Sequence, residues 1–485
     1  MTDLRLLSAT QLARLIRNRE LSSAQAVEAH IQQIERVNPT LNAVVRNRFD
    51  DARAEALRAD AERARIPPNQ LPPLHGVPCT IKECFALTGM PNAAGLVSRR
   101  HVIASTDATA VARLRAAGAI PLGVTNTSEL CMWMESDNQV YGRTNNPYDP
   151  TRIVGGSSGG EGAIVAAGGS PFGLGSDIGG SIRLPAFFNG VFGHKPTGGT
   201  VPGTGQFPIA SGAGLRYLTT GPICRRAEDL MPLLRILAGP DGVDTGCRPS
   251  TLGDPALVSL SGRTLLDVAD NGRLAVAADL RRVQADAVEI LRDLGMKPQR
   301  RSFPGLEKQF DVWSAMMSAA QEMSYGRMLG DGRRNIPLWE LLKAAIGRSD
   351  HTVMSCLLAV VDPVPKLLPG LARRMIDLGR QLRADITTAL GPDGALLYPS
   401  FTVPAPHHGV PVRWAIGLHM PWSYMAIMNV LELPSTQVPA GLDAEGLPLG
   451  FQVVSGHGND HVTIAIAERL EQARGGWVPP ALALA

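Results

Sequence analysis

No Cys-x-x-Cys pair occurs in this 485-residue chain. Its six cysteines, Cys79, Cys84, Cys131, Cys224, Cys247 and Cys356, are scattered, a spacing that suits neither a zinc-ligand set nor a disulfide framework. They read as reduced thiols of a cytoplasmic protein. An excess of one charge is missing too: 47 Lys and Arg stand against 44 Asp and Glu, a net +3. So small a balance excludes nucleic acid and acidic surfaces as expected partners. Long hydrophobic runs are scarce. The longest strongly apolar uncharged stretch, Trp414 to Leu431, contains His419, Pro421, Ser423 and Asn429 and is marginal in length for a membrane span. It reads as a buried segment, so no integral membrane segment is expected. Met1 to Leu7 has no basic run followed by an apolar core, so no signal peptide is expected. Nor is there an internal repeat or a low-complexity tract. No Gly-Lys-Ser/Thr step follows a glycine run, which removes a phosphate-cradling Walker loop. No metal and no cofactor are expected.

What is present is an apolar content of 44%, suited to a globular enzyme, in a chain long enough for one large core or two to three average domains. Ser8 with Gln11 and Ser22 with Gln25 read as capping boxes, each ahead of an apolar helical stripe (Leu12, Leu15, Ile16; Val27, Ile31, Ile34). Asp50 to Arg65 reads as an exposed helix, followed by a stiff proline linker. Val77 to Lys82 and Ile120 to Thr125 read as strands around a helix at Thr106 to Ala117, a rhythm that indicates an α/β layered fold. Further helices are expected at Gly160 to Ala167, Ala227 to Leu237, Leu280 to Leu294, Leu371 to Leu390 and His461 to Gln472, the last capped by Asp460. Strands are expected at Pro171 to Ser176, Ala395 to Tyr398 and Leu449 to Val454, and a loop at Gly193 to Gly214. No clean linker divides the chain, so residues 1–485 read as one domain. Its parts are N-terminal helices (1–70), a chemistry-bearing core (71–240), a less informative helical region (241–390) and a C-terminal completion of the sheet (391–485).

Two serines sit in separate glycine-rich runs, Gly155-Gly156-Ser157-Ser158-Gly159-Gly160 and Asp177-Ile178-Gly179-Gly180-Ser181-Ile182-Arg183, and Lys82 lies upstream of both. A serine alone is a poor nucleophile; it needs a base for its proton and donors for the oxyanion that follows. The glycines before Ser181 let several N–H groups converge beside its hydroxyl, although a tight turn after a strand would read the same way. Ser157 and Ser158 stand where a helix begins, so an N-cap is the plainer alternative. The run also matches Gly-x-Ser-x-Gly, with Ser158 as an α/β-hydrolase nucleophile, but only Arg152-Ile153-Val154 precedes it and none of the ten histidines falls in a telling context. Lys82 is either an ordinary strand lysine facing solvent or a buried base with a lowered pKa.

Taken together these segments resemble the amidase signature family, the Ser–cisSer–Lys hydrolases, whose two serines are 24 positions apart as 157 and 181 are here. Within it the chain is most similar to the fatty acid amide hydrolases, particularly the vertebrate second type. The similarity is carried by Ile81-Lys82-Glu83-Cys84-Phe85, Ser128 to Trp133, Tyr141 to Tyr148, Gly155 to Gly162, Pro185 to Gly190, Gly446 to Val454 and Gly475-Gly476-Trp477. Glu83 stands where many members carry Asp. Those vertebrate enzymes have an N-terminal membrane segment; this sequence reads from its start as helices of the soluble part, so no such segment is expected here.

The resemblance implies an amidase signature fold, a large twisted mixed β-sheet sandwiched between helices. It implies Ser181 as nucleophile, Ser157 as a bridging serine with a cis peptide, and Lys82 as a neutral base. Backbone N–H groups of Ile178, Gly179, Gly180 and Ser181 would hold the oxyanion, and Ser158 would hydrogen-bond the lysine. Cys131 and Met132 would line the acyl side of the pocket. Asp177 and Arg183, of opposite charge, flank the turn and are expected to brace it as a salt bridge. The expected activity is hydrolysis of a small-molecule amide, on acyl or fatty amides or aryl amides, with a homodimer as the one protein partner considered. Rival readings are a glutamine-hydrolysing amidotransferase subunit, a serine esterase using Ser158, and a non-enzymatic binding module. Met316, Met317, Met323 and Met328 either shape the acyl pocket or are ordinary helix packing.

Overall fold

The computed structural model describes residues 3–332 and 338–484. Met1 and Thr2 of the stretch read for a signal peptide, and residues 333–337 of the helical region, lie outside the described residues. The first strands are β1 (Val44–Asn47), β2 (Pro78–Lys82), β3 (Ile120–Thr125), β4 (Asp137–Asn138), β5 (Gly142–Arg143), β6 (Phe172–Asp177), β7 (Phe192–Lys195) and β8 (Thr219–Cys224). They are followed by β9 (Thr264–Asp267), β10 (Lys297–Arg300), β11 (Ala395–Pro399), β12 (Ser435–Leu442) and β13 (Pro448–Ser455). All but β4 and β5 form one 11-stranded mixed sheet, ordered β1-β3-β2-β6-β8-β7-β12-β13-β11-β9-β10 and flanked by helices. The run β3-β2-β6 is parallel, and β6 then pairs antiparallel with β8.

Local rules explain much of this. Both capping boxes form, Ser8 with Gln11 and Ser22 with Gln25. β2 and β6 are buried along their whole length because helices cover both faces of the parallel run. The helix Phe49–Arg65 is less exposed than its charge suggests: Phe49, Ala52, Ala56 and Ala59 form a buried stripe. Gly193 to Gly214 is a loop only in its later part, since β7 claims its first residues. The closing helix Asp460–Arg474 is not capped by Asp460. That carboxylate instead accepts from Thr197 N and Oγ1 and from the His194 ring, which ties the helix start to the end of β7. Trp414 to Leu431 divides. The helix Ser423–Val430 is buried, whereas Ile416 and Leu418 are about 70% and 72% exposed. Among the described residues no single helix is long and apolar enough to cross a membrane.

Candidate active site

β2, an interior strand of the sheet, carries Lys82 at its end, where the side chain is completely buried. Its Nζ lies 2.6 Å from Ser157 Oγ and 3.0 Å from Ser176 Oγ. The Gly156–Ser157 peptide is cis. Ser158 does not bond the lysine, contrary to expectation. Its hydroxyl donates to Ser176 O at 3.4 Å, and the hydroxyl of Ser176, on the adjacent strand β6, takes the place assigned to it. Nor does Ser158 cap the helix Gly159–Ala166 with its side chain. Ser136 supplies that bond: its Oγ accepts from Gly159 N at 2.9 Å and lies 3.1 Å from the carbonyl oxygens of Gly155 and Ser157.

Ser181 follows β6 on a tight turn. It shares the wall of a cavity of about 720 Å³ with Gly156, Ile178 and Gly179. Its Oγ has no hydrogen-bond partner among the described residues, and its carbonyl accepts from Ser158 N at 3.3 Å. Catalytic hydrogen bonds that tighten only with substrate are common in unliganded sites, so this geometry is compatible with the expected role. Of the expected oxyanion donors, Gly180 is otherwise engaged: its N–H donates to Asp177 Oδ1 at 2.7 Å. The N–H groups of Ile178, Gly179 and Ser181 have no acceptor among the described residues.

Asp177 and Arg183 form the expected pair, fully buried, with Nε 3.0 Å from Oδ2. The same carboxylate accepts from Gly180 N, Ile182 N and Asn429 Nδ2, so it gathers the turn around itself. Burial alone would raise its pKa, but Arg183 overrides this and holds the carboxyl well below the usual range. A depressed folded pKa contributes stability above about pH 4 that is lost as pH falls. Arg183→Met leaves Asp177 charged and unpaired. It is expected to cost about 3–5 kcal/mol, read from the urea midpoint at constant slope.

Two further carboxylates flank the lysine. Glu83 turns away from it and accepts from Ala93 N, Ala94 N and Tyr141 Oη, each at 2.7 Å; burial pushes it up to about 7. Glu161 accepts from Thr80 Oγ1 at 2.6 Å and Thr125 Oγ1 at 2.8 Å, and burial pushes it up to about 8. A Cβ at position 173 would stand 1.8 Å from Glu161 Oε2, which is why the strand carries glycine there.

The cavity is mainly apolar. Cys131 and Met132 line it, with Leu130 and Cys131 in left-handed backbone (φ 52° and 59°). Its walls include Trp133, Trp313 and Trp422, and it runs out beneath the helices Val353–Val361 and Pro369–Leu390. Of the four methionines, Met317 faces it, Met316 lines a second cavity, Met323 is 42% exposed and Met328 packs beside Tyr325 and Leu329. Among the described residues no histidine hydrogen-bonds Ser158 or Ser181, so the Ser-His arrangement of an α/β-hydrolase is not formed.

The amidase family model matches residues 25–464. The chain is 45% identical to human fatty-acid amide hydrolase 2, over 98% of this chain and 90% of that protein. It is 30% identical to an acylamidase of Rhodococcus erythropolis, over 97% and 96%. Among solved structures, 6-aminohexanoate cyclic dimer hydrolase with substrate superposes with a TM-score of 0.83 at 25% identity, over 99% of this chain and 100% of that one. Sequence match, fold and site agree: the chain belongs to the amidase family and hydrolyses amide bonds.

Proposed function

We propose that this amidase acts on amides of apolar, fatty-type carboxylic acids through an acyl-Ser181 intermediate. Ser181 passes its proton by way of Ser157 to Lys82 and attacks the carbonyl. The N–H groups of Ile178, Gly179 and Ser181 receive the oxyanion. Ser157 returns the proton to the leaving amine, and water then releases the acid. The observation that carries the reading is the 2.6 Å Lys82–Ser157 contact, next in sequence to Ser158, whose N–H donates to the Ser181 carbonyl, with Gly156 and Ser181 on the wall of a largely apolar cavity. Such a cavity desolvates an acyl chain and gives little to the polar side chain of glutamine, which disfavours the amidotransferase reading. The continuous 11-stranded sheet supports treating 1–485 as one catalytic unit. Six unpaired cysteines support a cytoplasmic setting.

A panel of short amides, aryl anilides, fatty amides and N-acyl ethanolamines tests this with purified protein. Burial contributes about 0.8 kcal/mol per methylene, so kcat/KM is expected to rise roughly threefold to fourfold per added CH2 until the cavity is full. A flat chain-length profile would refute the apolar-acyl assignment.

A further inference from the structure

Trp313, on the helix Gln309–Ala320, holds the catalytic turn from the cavity side. Its Nε1–H donates to the carbonyl oxygen of Ile178 at 2.9 Å. The other two cavity indoles, Trp133 and Trp422, have no partner for Nε1 among the described residues. Thus, among the described residues, Trp313 alone of the three indoles directs its proton at another group, and it does so at the peptide beside the open oxyanion donors. A trans peptide unit is planar, with its C=O and N–H pointing in opposite directions. Fixing the oxygen of Ile178 on Trp313 therefore fixes the aim of the Gly179 N–H, which has no acceptor among the described residues.

The turn is clamped from two sides. Asp177 holds the Gly180 N–H from the sheet, and Trp313 holds the Ile178 oxygen from the helix layer. Between them, Gly179 backs onto aromatic edges: a Cβ there would lie 3.4 Å from Trp422 Cζ3 and 3.5 Å from Trp313 Cζ2. Trp313 is itself seated edge-to-face on Trp422, with centroids 4.8 Å apart, and Phe310 packs on Trp422 at 5.7 Å. All three rings face the cavity. The surface an acyl chain would press on is thus the surface that aims an oxyanion donor.

We propose that Trp313 is a positioning residue that couples filling of the apolar cavity to the aim of the Gly179 N–H, so that the acyl chain raises kcat and not only affinity. This rests on the acyl-Ser181 reading above. Binding energy from a remote part of the substrate acts on the rate when it improves transition-state contacts.

The test is Trp313→Phe in the full chain, which keeps a ring and removes the donor. Steady-state kinetics on a fatty amide are combined with the affinities of an alkyl trifluoromethyl ketone, which forms a tetrahedral adduct with serine, and of the matching fatty acid. Losing a whole oxyanion donor costs about 10²–10³ in kcat, so misdirecting one is expected to cost roughly tenfold to a hundredfold. KM and fatty-acid affinity are expected to stay within about threefold, while ketone affinity falls with kcat. Trp422→Phe removes only an unpartnered N–H and part of the wall. It is expected to move ketone and acid affinities together. If Trp313→Phe does not fold, 3-benzothienylalanine at 313 keeps the indole shape without the N–H and gives the same readout. Parallel loss of ketone and acid affinity, or no loss of either, overturns the proposal. Wild-type protein inert on every amide would instead remove the reading beneath it.

Discussion

Ser181→Ala is expected to eliminate amide turnover, by on the order of 10⁴-fold to 10⁶-fold in kcat, with the protein otherwise intact. The size follows from the proposed role of Ser181 as nucleophile. Without the hydroxyl no acyl-enzyme forms, and only the oxyanion donors and substrate binding remain to act on a passing water. The specificity of the effect follows from the structure. Ser181 Oγ has no hydrogen-bond partner among the described residues, so its loss leaves no buried polar group unpaired. The turn is held by Asp177, Arg183 and backbone bonds that alanine preserves. The unfolding midpoint is therefore expected to move by no more than the equivalent of about 0.5 kcal/mol. Fatty-acid binding is expected to persist, since the apolar wall is untouched. A fluorophosphonate that labels the wild type, with the adduct mapped by peptide mass, is expected to mark Ser181 and to leave the Ser181→Ala protein unlabelled. A label on Ser158, or turnover within about tenfold of wild type, would end the assignment.

The residues legible in the sequence are those whose neighbours are unusual. Ser157 and Ser181 stand in glycine runs that few structural roles require, and Asp177 and Arg183 flank one of them with opposite charges. Their pairing at 3.0 Å followed the expectation. Ser176 was illegible because a lone serine in a buried strand looks like any other; only the parallel pairing of β2 with β6 puts its hydroxyl beside Lys82. The engagement of the Gly180 N–H was illegible for a related reason, since glycine content indicates that backbone amides can converge but not which of them an adjacent carboxylate will take. Strands show a similar division. β2 and β3 alternate with a helix and were readable. β10, Lys-Pro-Gln-Arg, carries the charge and proline that suit a sheet edge and obscure a strand. β12 begins Ser-Thr-Gln, yet those three are buried and hydrogen-bonded, so polarity misreports their depth. The cavity wall was hardest, because Trp313 and Trp422 lie more than 100 positions apart and meet only through helix packing.

Lys82→Ala is expected to separate amides from esters. Proton transfer by a positioned group contributes about 10²–10⁴ per step. An amide needs it twice, once when Ser181 loses its proton and again when the poor amine leaving group departs. An activated ester needs it only for the attack, because its alkoxide or phenoxide leaves unaided. With the lysine gone, Ser157 loses the group 2.6 Å from it and the proposed relay ends at a hydroxyl that cannot hold the proton. Amide kcat/KM is expected to fall by roughly 10⁴ or more, and that of a matched activated ester by only about 10². The two substrates are compared on one preparation, so a general loss of folded protein lowers both equally and cancels in the ratio. This matters here, since removing a fully buried lysine also takes a hydrogen-bond partner from the hydroxyls of Ser157 and Ser176. The ratio therefore reports proton delivery while the absolute rates report packing as well. Equal losses on amide and ester would mean that Lys82 acts by holding Ser157 and Ser176 in place rather than by carrying the proton, and the relay would have to end elsewhere.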